Sequence, residues 1–573
     1  MKKSEIRTDK KEAVLILGAG VMQIPVIKSA GKMGFVSIVF DGNSNAPGKN
    51  FSDYFENIDL KDNNSLLEKS LYYSSVCNIK GVFTAGTDFS YMVAWLSEKL
   101  GLKSISYETA LKATDKSLMR KAFSSANVSS PLFIIAPNSN IEEKDVRKLG
   151  YPLVVKPVDS MGARGTVKIH DFQSLKEAIE KALKFSRAGK VIIEQFLEGP
   201  EFSLDAVIKD GNISVCGVAD RHIFFPPYFV EMGHTMPSIF PKEVIDKVIN
   251  VFCDGIKAIG IDNGAAKGDI KYTGEKAVIG EIAARLSGGY MSGWTFPYST
   301  GFSVIDAALK IALGIDPGII KYSYSKTAAE RAFISIPGVV DSVYIPEYLK
   351  NISANTNSPD SVVKDLFINI KPGDKVNFPK NNVEKCGNII AVHKERQEAV
   401  FAAEEACRAI IVKLKPGDDA TFNFIFGKKE PWIPDAFNFN SNFNNNSGSK
   451  MYDSMPYFYG KPNITDIKQK IDVFLPDIFD TISDKTFDNN GQKGNSEGFG
   501  ADWHGNSLKK AIKTIENFTN LRFIKEFSGN RFTLGKIFWK SVARGSIQGG
   551  IWIGETVADY IKNGRNLDNI KWE

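Results

Sequence analysis

The sequence predicts a multidomain protein of mixed α/β and α+β class. Its 573 residues exceed what one hydrophobic core usually supports, so we expect roughly three or four domains. The apolar run AVLIL (13–17) is typical of a strand buried on both faces of a parallel sheet. A helical stretch and a second apolar run, FVSIVF (35–40), follow it. This alternation continues to about residue 108 and predicts a Rossmann-like N-terminal domain.

The glycine turn between these two strands has two interpretations. GAGVMQ (18–23) resembles a dinucleotide-binding fingerprint, and Asp41, at the end of the second strand, is placed to meet a ribose. The third glycine position of that fingerprint, however, is Gln23. In the second interpretation, Gly18 and Gly20 only allow a tight turn and close packing of the helix.

Composition and charge disfavour several classes of protein. The net charge of +6, without a dense Lys/Arg stripe, does not indicate nucleic-acid binding. The five cysteines are widely spaced and are typical of reduced cytoplasmic thiols, not of disulfides or a zinc site (Cys77, Cys216, Cys253, Cys386 and Cys407). The first residues lack the apolar core of a signal peptide, and no run of about 18 apolar residues exists. We therefore expect a cytoplasmic protein with neither nucleic-acid nor membrane partners.

The stretch 267–290, KGDIKYTGEKAVIGEIAARLSGGY, contains the first candidate site. It predicts a hairpin whose tight loop, centred on Glu275, places Asp269 directly opposite Glu281. Side-chain alternation then puts Ala283 and Arg285 on the same face. Two opposed carboxylates require a proton or a cation, and Mg²⁺ bound by acids and phosphate oxygens satisfies that requirement. The alternative is a solvated hairpin whose acids face water.

A glycine-rich loop, DSMGARGT (159–166), follows the predicted strand 151–158. It joins two strands and lacks the GK[ST] of a Walker-type loop, yet its backbone N–H groups and Arg164 could cover a polyphosphate. Lys156, inside the apolar strand, needs an anionic partner or a route to solvent. Snorkelling from an edge strand is the alternative for this lysine.

Further elements are predicted on either side of this loop. A helix at 109–126 contains Lys116, and helices are also expected at 174–186 and 242–259. Near the bend in EQFLEGPEFS, backbone groups of 194–197 are placed to read an adenine edge while Glu201 binds sugar hydroxyls; a surface hairpin is the alternative. Residues 216–240 are rich in aromatics and proline, so we expect an irregular pocket-lining loop in which His222 and His234 are structural.

Taken together and in this order, these motifs over residues 11–420 resemble the ATP-grasp superfamily. The resemblance is to its branch of carbamoyl-phosphate synthetase large subunits, biotin carboxylases and amino-acid ligases. The matching pieces are LILGAG, TDKSLMRKAF, VVKP, DSMGARGT, EQFLEGPEFS, GDIKY and EIAARLSGG. The EMGHTMPS and GGYMSGW segments most resemble the subgroup that ligates amino acids or similar small carboxylates.

The resemblance implies a role for each matching residue. It implies ATP and Mg²⁺ (or Mn²⁺) as cofactors, with Asp269 and Glu281 as metal ligands and with Lys156 and Arg285 as catalytic residues. The implied nucleotide-binding residues are Lys116 and Lys156 at the phosphates, Gly162, Ala163 and Gly165 in the covering loop, Glu194, Gln195, Phe196 and Leu197 in the adenine hinge, and Glu201 at the ribose. One position departs from the family, which commonly has Glu-x-Asn-x-Arg with the Asn touching a second metal; here it is Ala283.

The resemblance also implies the domain order. A pre-ATP-grasp Rossmann-like domain (11–108) precedes an ATP-grasp domain (109–330) with a mobile lid subdomain at about 153–200. A biotin-carboxylase-like C-terminal module (331–420) and a mainly helical accessory domain of unknown function (421–573) follow. Within the accessory part, 437–449 and 488–500 are predicted linkers, and 507–518 and 553–563 are predicted helices.

The implied reaction is ATP-dependent ligation of a carboxylate to an amine. A small, amino-acid-like carboxylate would form an acyl phosphate, and ADP and phosphate would be released. The first alternative is a bicarbonate-using carboxylase or a carbamoyl-phosphate synthetase-like enzyme. The second, motivated by Ala283, is an ATP-binding regulatory or assembly protein with weakened chemistry. We expect small-molecule partners and a possible homodimer.

Overall fold

The structure, a computed structural model, describes residues 10–353, 362–437, 455–459, 470–475, 501–526 and 532–565, with 567, 570 and 572. It divides into two compact units, Met1–Glu330 with Ile390–Val400, and Arg331–Ile389 with Phe401–Glu573. The predicted linker at 437–449, except for Phe437, and the one at 488–500 lie outside the described residues. The four-domain division at residues 108, 330 and 420 stays a prediction. Among the described residues, no helix is both long enough and apolar enough to cross a bilayer.

The first unit begins with a parallel sheet, as the two apolar runs predicted. Its strands, in the order β3-β2-β1-β4, are β1 (Glu12–Leu17), β2 (Val36–Asp41), β3 (Tyr54–Asn57) and β4 (Asn78–Phe83). The α-helices of this region are Ile24–Lys32, Asn63–Val76 and Ser90–Leu100, with short 3-10 turns at Val21–Gln23 and Pro47–Phe51. Both apolar runs are buried because helices cover the sheet.

The glycine turn of this sheet uses the residues that suggested a dinucleotide site. The Asp41 carboxylate accepts a hydrogen bond from the Ala19 N–H at 2.7 Å, and Gln23 donates to the Ala85 carbonyl. Gly18 has φ +99°, a conformation that favours glycine. These contacts support the interpretation in which the turn serves local packing.

The expected helix at 109–126 is two helices, Tyr107–Thr114 and Lys116–Ser125. The continuous helix was wrong because Asp115 has extended φ/ψ (−91°, 112°), and its carboxylate caps the second helix at the Ser117 and Leu118 N–H groups. A small antiparallel sheet follows, in the order β5-β8-β6-β7. Its strands are β5 (Phe133–Ala136), β6 (Leu153–Pro157), β7 (Val167–Ile169) and β8 (Val191–Gln195), and its helices are Glu143–Arg147 and Gln173–Leu183.

A longer antiparallel sheet, with the strand order β13-β12-β9-β10-β11, carries most of the candidate site. The strands are β9 (Glu201–Lys209), β10 (Asn212–Phe224), β11 (Val230–Met236), β12 (Gly264–Tyr272) and β13 (Ala277–Ala283). Helix Lys242–Ile259 packs on this sheet, and a Cβ on Gly268 would lie 2.5 Å from the Phe252 ring. Glycine therefore lets the helix approach β12 beside Asp269. Shorter helical segments follow at Met291–Thr295, Phe296–Thr300 and Val304–Ala312.

The expectation of an irregular loop at 216–240 was wrong. Most of this stretch belongs to β10 and β11, which pair antiparallel, with Asp220 opposite Thr235 and Arg221 opposite His234. The proline and aromatic residues are concentrated in the short connection between the strands. Alternation was obscured because buried polar side chains of β11, such as Glu231 and His234, have charged or polar partners inside the fold.

The second unit contains two further sheets. The strands after β13 are β14 (Thr327–Phe333), β15 (Gly338–Tyr344), β16 (Val363–Ile368), β17 (Lys375–Val376), β18 (Gly387–His393) and β19 (Ile411–Leu414). Strands β14 and β18 have residues in both units, and β17-β15-β19 form a three-stranded sheet. The helices here are Glu347–Ser353 and Arg396–Ala409, with a 3-10 turn at Asn382–Glu384.

The last part of the chain contains a small sheet besides its helices. The strands, in the order β20-β23-β21-β22, are β20 (Phe458–Tyr459), β21 (Ile471–Phe474), β22 (Leu521–Ile524) and β23 (Thr533–Leu534). The helices are Asp419–Phe426, Leu508–Phe518 and Lys536–Lys562, and the last is kinked at Ser546 (φ 49°, ψ −139°). The helices expected at 507–518 and 553–563 fall within the second and third of these.

Candidate active site

The hairpin of β12 and β13 places Asp269 opposite Glu281, in the register that the sequence predicted. On its other edge β12 pairs with β9, where Asp269 faces Ser203. Asp269 is therefore buried inside the sheet, whereas the Glu281 side chain is 28 % exposed. β13 ends at Ala283, so Arg285 lies two residues beyond the strand, and its place on the same face as Ala283 stays a prediction.

Two cations contact the Asp269 carboxylate. Arg221 Nη1 of β10 lies 3.2 Å from Asp269 Oδ2, and the Lys267 ammonium contacts the same oxygen. Burial would raise the pKa of Asp269, but the charges of Arg221 and Lys267 together hold that pKa below its ordinary value. Arg221 also binds Glu201 at 3.0 Å and Glu231 at 2.7 Å.

Glu281 lies close to Lys116 and to the glycine loop. Lys116 Nζ is 3.5 Å from Glu281 Oε1 and donates to the Ser160 carbonyl at 3.0 Å. Burial would raise the pKa of Glu281, but the positive charge of Lys116, followed by that of Lys267, lowers it below its usual value. A carboxylate, a lysine and the loop that follows β6 thus meet at one place.

The glycine loop has a backbone that few side chains tolerate. Gly162, Ala163 and Gly165 have φ of 66°, 61° and 72°. A Cβ on Gly165 would lie 2.7 Å from the Phe185 ring. Arg164 is exposed and donates to the Met161 carbonyl at 3.2 Å. The loop is therefore a tight turn, closed by the Arg164 and Thr166 N–H groups, which donate to the Met161 and Ala163 carbonyls at 3.4 and 3.1 Å.

Lys156 belongs to an inner strand, because β6 lies between β8 and β7. Its Nζ is 2.6 Å from Glu194 Oε2, and Arg120 Nε is 2.7 Å from the other oxygen of Glu194. Snorkelling from an edge strand is thereby excluded for Lys156. Burial would raise the pKa of Glu194, but the charges of Arg120 and Lys156 lower it.

The segment after β8 presents backbone groups, as the expected hinge requires. The N–H groups of Gln195 and Phe196 donate to the Leu132 and Pro152 carbonyls at 3.0 and 3.1 Å, and Lys271 Nζ donates to the Leu197 carbonyl at 2.9 Å. No acceptor for the Leu197 N–H lies within the described part of the chain. The role of residues 194–197 as an adenine hinge stays a prediction.

Arg285 is oriented by the N-terminal α/β region. Its Nη2 donates to Asp88 Oδ1 at 2.9 Å, and its Nη1 donates to the Leu286 carbonyl at 3.0 Å. A parallel bridge between Ala85 and Leu286 lies beside this contact. Burial would lower the pKa of Arg285, but the Asp88 charge raises it, so the guanidinium is always protonated.

Sequence reasoning missed several residues of this cluster, chiefly Asp88, Arg120, Arg221 and Lys267. Lys267 lay in the quoted hairpin, and its alternation with Asp269 was the available signal. Asp88 reaches the site from the bend before helix Ser90–Leu100 and Arg221 reaches it from β10, and a single sequence does not reveal either approach.

Among the described residues of this site, Glu281 is the carboxylate that best fits a hard metal ion. Mg²⁺ typically uses one or two carboxylates together with phosphate oxygens. The structure describes no group of three or more His, Cys, Asp or Glu side chains arranged to bind a metal. Glu281 is partly exposed beside Lys116 and fits an ion that also binds phosphate oxygens. Asp269, in contrast, already contacts the side chains of Arg221 and Lys267.

Comparison with known proteins supports the assignment of this region. Residues 149–293 match the family model of the ATP-grasp domain, and residues 333–415 match the L-amino acid ligase C-terminal domain 2. An uncharacterized protein, y4rH, of Sinorhizobium fredii is 22% identical over 346 residues, 60% of this chain and 70% of that protein. The C-terminal section of the carbamoyl phosphate synthase large chain of Methanocaldococcus jannaschii is 24% identical over 424 residues, 64% of this chain and 67% of that one.

Solved structures share the fold at low sequence identity. The L-amino acid ligase from Bacillus licheniformis superimposes with a TM-score of 0.60 at 20% identity, covering 71% of this chain and 100% of that one. Phosphoribosylglycinamide synthetase from Anaerococcus prevotii gives a TM-score of 0.56 at 20% identity, with the same coverage. The family match identifies residues 149–293 as an ATP-grasp domain. In the same chain, this domain is followed by the match of residues 333–415 to an L-amino acid ligase type of C-terminal domain.

Proposed function

We propose that the protein is an ATP-dependent carboxylate–amine ligase that activates a small, amino-acid-like carboxylate as an acyl phosphate. The observation that carries the proposal is the succession, in one chain, of an ATP-grasp domain and an L-amino acid ligase C-terminal domain. The cluster of Glu281, Lys116 and the glycine loop supports it, because Lys116 lies beside the Glu281 carboxylate and donates to the Ser160 carbonyl of the loop.

In the first step, a carboxylate oxygen of the substrate attacks the γ-phosphorus of ATP and the bond to the bridging oxygen of ADP breaks. Lys116 and Lys156 attract the phosphates, and the Leu197 N–H donates a hydrogen bond to the adenine edge. Glu281 would hold Mg²⁺, and the bound ion would neutralise phosphate charge. The glycine loop covers the phosphates and excludes water that would hydrolyse the acyl phosphate.

In the second step, the lone pair of an amine attacks the acyl carbon, phosphate leaves, and the amine loses a proton to solvent. The guanidinium of Arg285, oriented by Asp88, stabilises the negative charge that develops on oxygen. No nucleophilic side chain is needed, because phosphoryl and acyl transfer here depend on positioning and charge.

We assign the substrate-binding end of the site to three residues, Glu231, His234 and Gly289. His234 Nδ1 lies 3.1 Å from Glu330, and its ring approaches Glu231 at 3.6 Å. A Cβ on Gly289 would lie 2.9 Å from His234 and 3.0 Å from Glu231, so glycine lets the backbone approach both side chains closely. A carboxylate such as Glu231 suits the ammonium group of an amino acid.

An ADP-release screen tests this function. Amino acids are supplied singly and in pairs with ATP and Mg²⁺ or Mn²⁺, and products are identified by mass spectrometry. We expect ADP release that depends on specific acids and amines and disappears in Glu281→Gln. Release with bicarbonate alone would favour the carbamoyl-phosphate type of reaction, which the carbamoyl phosphate synthase relatives favour as second candidate. ATP binding without any ADP release would favour a regulatory role.

A further inference from the structure

Lys267 lies directly across the ladder from Ala283. Its side chain is buried except for 15 %, and its ammonium contacts Asp269 Oδ2. The Ala283 methyl group supplies no oxygen to a metal ion. A lysine thus stands opposite the residue at which related sequences commonly have a metal-binding asparagine.

Both oxygens of Asp269 already have partners. Oδ2 contacts Lys267 and lies 3.2 Å from Arg221, and Oδ1 accepts a hydrogen bond from Ser203 Oγ at 3.3 Å. Mg²⁺ binds oxygen at about 2.0–2.1 Å. An ion at that distance from Oδ2 would lie within a few ångströms of two positive charges, which repel it strongly in a buried site.

The net charge of this cluster also favours side-chain cations over a bound metal ion. Three carboxylates, those of Glu201, Glu231 and Asp269, converge on Arg221 at 3.0, 2.7 and 3.2 Å. With Lys267, the group carries two positive and three negative charges. Without Lys267 the cluster would have an excess of two negative charges, and Lys267 reduces this excess to one. A divalent ion added besides Lys267 would make the cluster positive.

We propose that Lys267, braced with Arg221 on Asp269, replaces a second metal ion, so that the site uses one Mg²⁺, held by Glu281 and the nucleotide. This inference rests on the proposed function and refines it. Asp269 then anchors two side-chain cations, and the Lys267 ammonium supplies the positive charge on that side of the transferred phosphoryl group. Lys267 is a positioning residue that also supplies a positive charge. Unlike the charge of a metal ion, this charge belongs to the chain and does not arrive with the nucleotide.

Counting bound Mn²⁺ tests this inference without reference to turnover. The full chain is saturated with the ATP analogue AMP-PNP, and bound Mn²⁺ is measured by electron paramagnetic resonance. We expect one Mn²⁺ per nucleotide and no Mn–Mn coupling in the wild type. The double variant Lys267→Met/Ala283→Asn should bind two coupled ions, whereas the matched control Ala283→Asn should still bind one, because Lys267 remains.

Further variants separate the possible outcomes. Asp269→Asn should retain the single Mn²⁺, and Glu281→Gln should lose it. Two coupled ions in the wild type, or loss of the ion in Asp269→Asn with Glu281→Gln unaffected, would overturn the inference and leave the ligase proposal standing. A folded wild type that does not bind AMP-PNP would overturn both. Thermal unfolding of each variant establishes that it is folded.

Discussion

Lys156 Nζ lies 2.6 Å from Glu194 Oε2, in an ion pair between neighbouring strands of the small antiparallel sheet. The same carboxylate binds Arg120, whose side chain is 0 % exposed, while that of Lys156 is 15 % exposed. Burial lowers the pKa of Lys156, Glu194 opposes this, and Arg120 lowers the pKa further. Glu194 therefore pairs with one fully buried cation, Arg120, and with one partly exposed cation, Lys156.

This arrangement predicts that the two cations respond differently to removal. Lys156→Met leaves Glu194 paired with Arg120, so we expect a loss of AMP-PNP affinity of roughly tenfold or more with a small change in unfolding free energy. Arg120→Met leaves Glu194 with Lys156 as its remaining cation but removes buried hydrogen bonds to Glu194 and to the Gly280 carbonyl, so it should cost about 3–5 kcal/mol. Calorimetric titration and urea unfolding measure the two effects. Unfolding of Lys156→Met would instead assign this lysine a structural role.

The hairpin carboxylates predict a second result. Glu281→Gln and Asp269→Asn should each lower ADP release by roughly 10²-fold or more, because charge stabilisation in a buried site is lost. Circular dichroism should show an unchanged fold. If both variants release ADP at close to the wild-type rate, neither residue belongs to the reacting site.

Asp88 predicts an effect on turnover that nucleotide binding does not share. Asp88→Asn removes the charge that orients Arg285, so we expect kcat to fall roughly tenfold while AMP-PNP affinity changes by less than about twofold. Steady-state kinetics and calorimetry separate the two quantities. Asp88→Glu, which keeps the charge, should restore part of the rate; a loss of rate equal to that of Asp88→Asn would argue against the charge as the cause.

Asp205 predicts a pH dependence of stability. This carboxyl is fully buried, accepts hydrogen bonds from the Ser287 N–H at 2.7 Å and hydroxyl at 2.6 Å, and has its pKa raised by burial to about 6 from 3.8. The folded state binds its proton more tightly than the unfolded state does. Its contribution is therefore fully present below pH 3.8 and is lost as pH rises through 6, about 3 kcal/mol in all.

The neutral variant Asp205→Asn isolates that contribution. The unfolding free energy of the variant, relative to wild type, should rise between pH 4 and 7 because only the wild type ionises. Urea unfolding at pH 4, 5, 6 and 7 measures the difference. A difference that is constant over this range would show that Asp205 ionises alike in both states.

Local patterns were sufficient where a short turn fixes the geometry. The opposition of Asp269 and Glu281 follows from the period-two alternation of strands and a tight loop, and the structure has that register. The apolar run at 13–17 likewise predicted a buried parallel strand. In both cases the information lies within a few residues of the feature.

Long-range partners were not accessible in the same way. Arg221 and Asp269 meet across three strands, and Asp88 and Arg285 are 197 residues apart. Strands β10 and β11 were missed because their buried polar residues are satisfied by partners elsewhere in the fold, so hydrophobic alternation fails there. The break at Asp115 depends on a cap whose geometry a helical pattern hides.

The contact of Asp88 with Arg285, together with the bridge between Ala85 and Leu286, has a consequence for recombining such chains. The N-terminal α/β region is not an interchangeable module, because it contributes the acceptor that aims an arginine of the next region. A chimera that exchanges residues before 108 should work only if the donor brings an acid equivalent to Asp88. Lineages of related enzymes would then inherit the two segments as a linked pair.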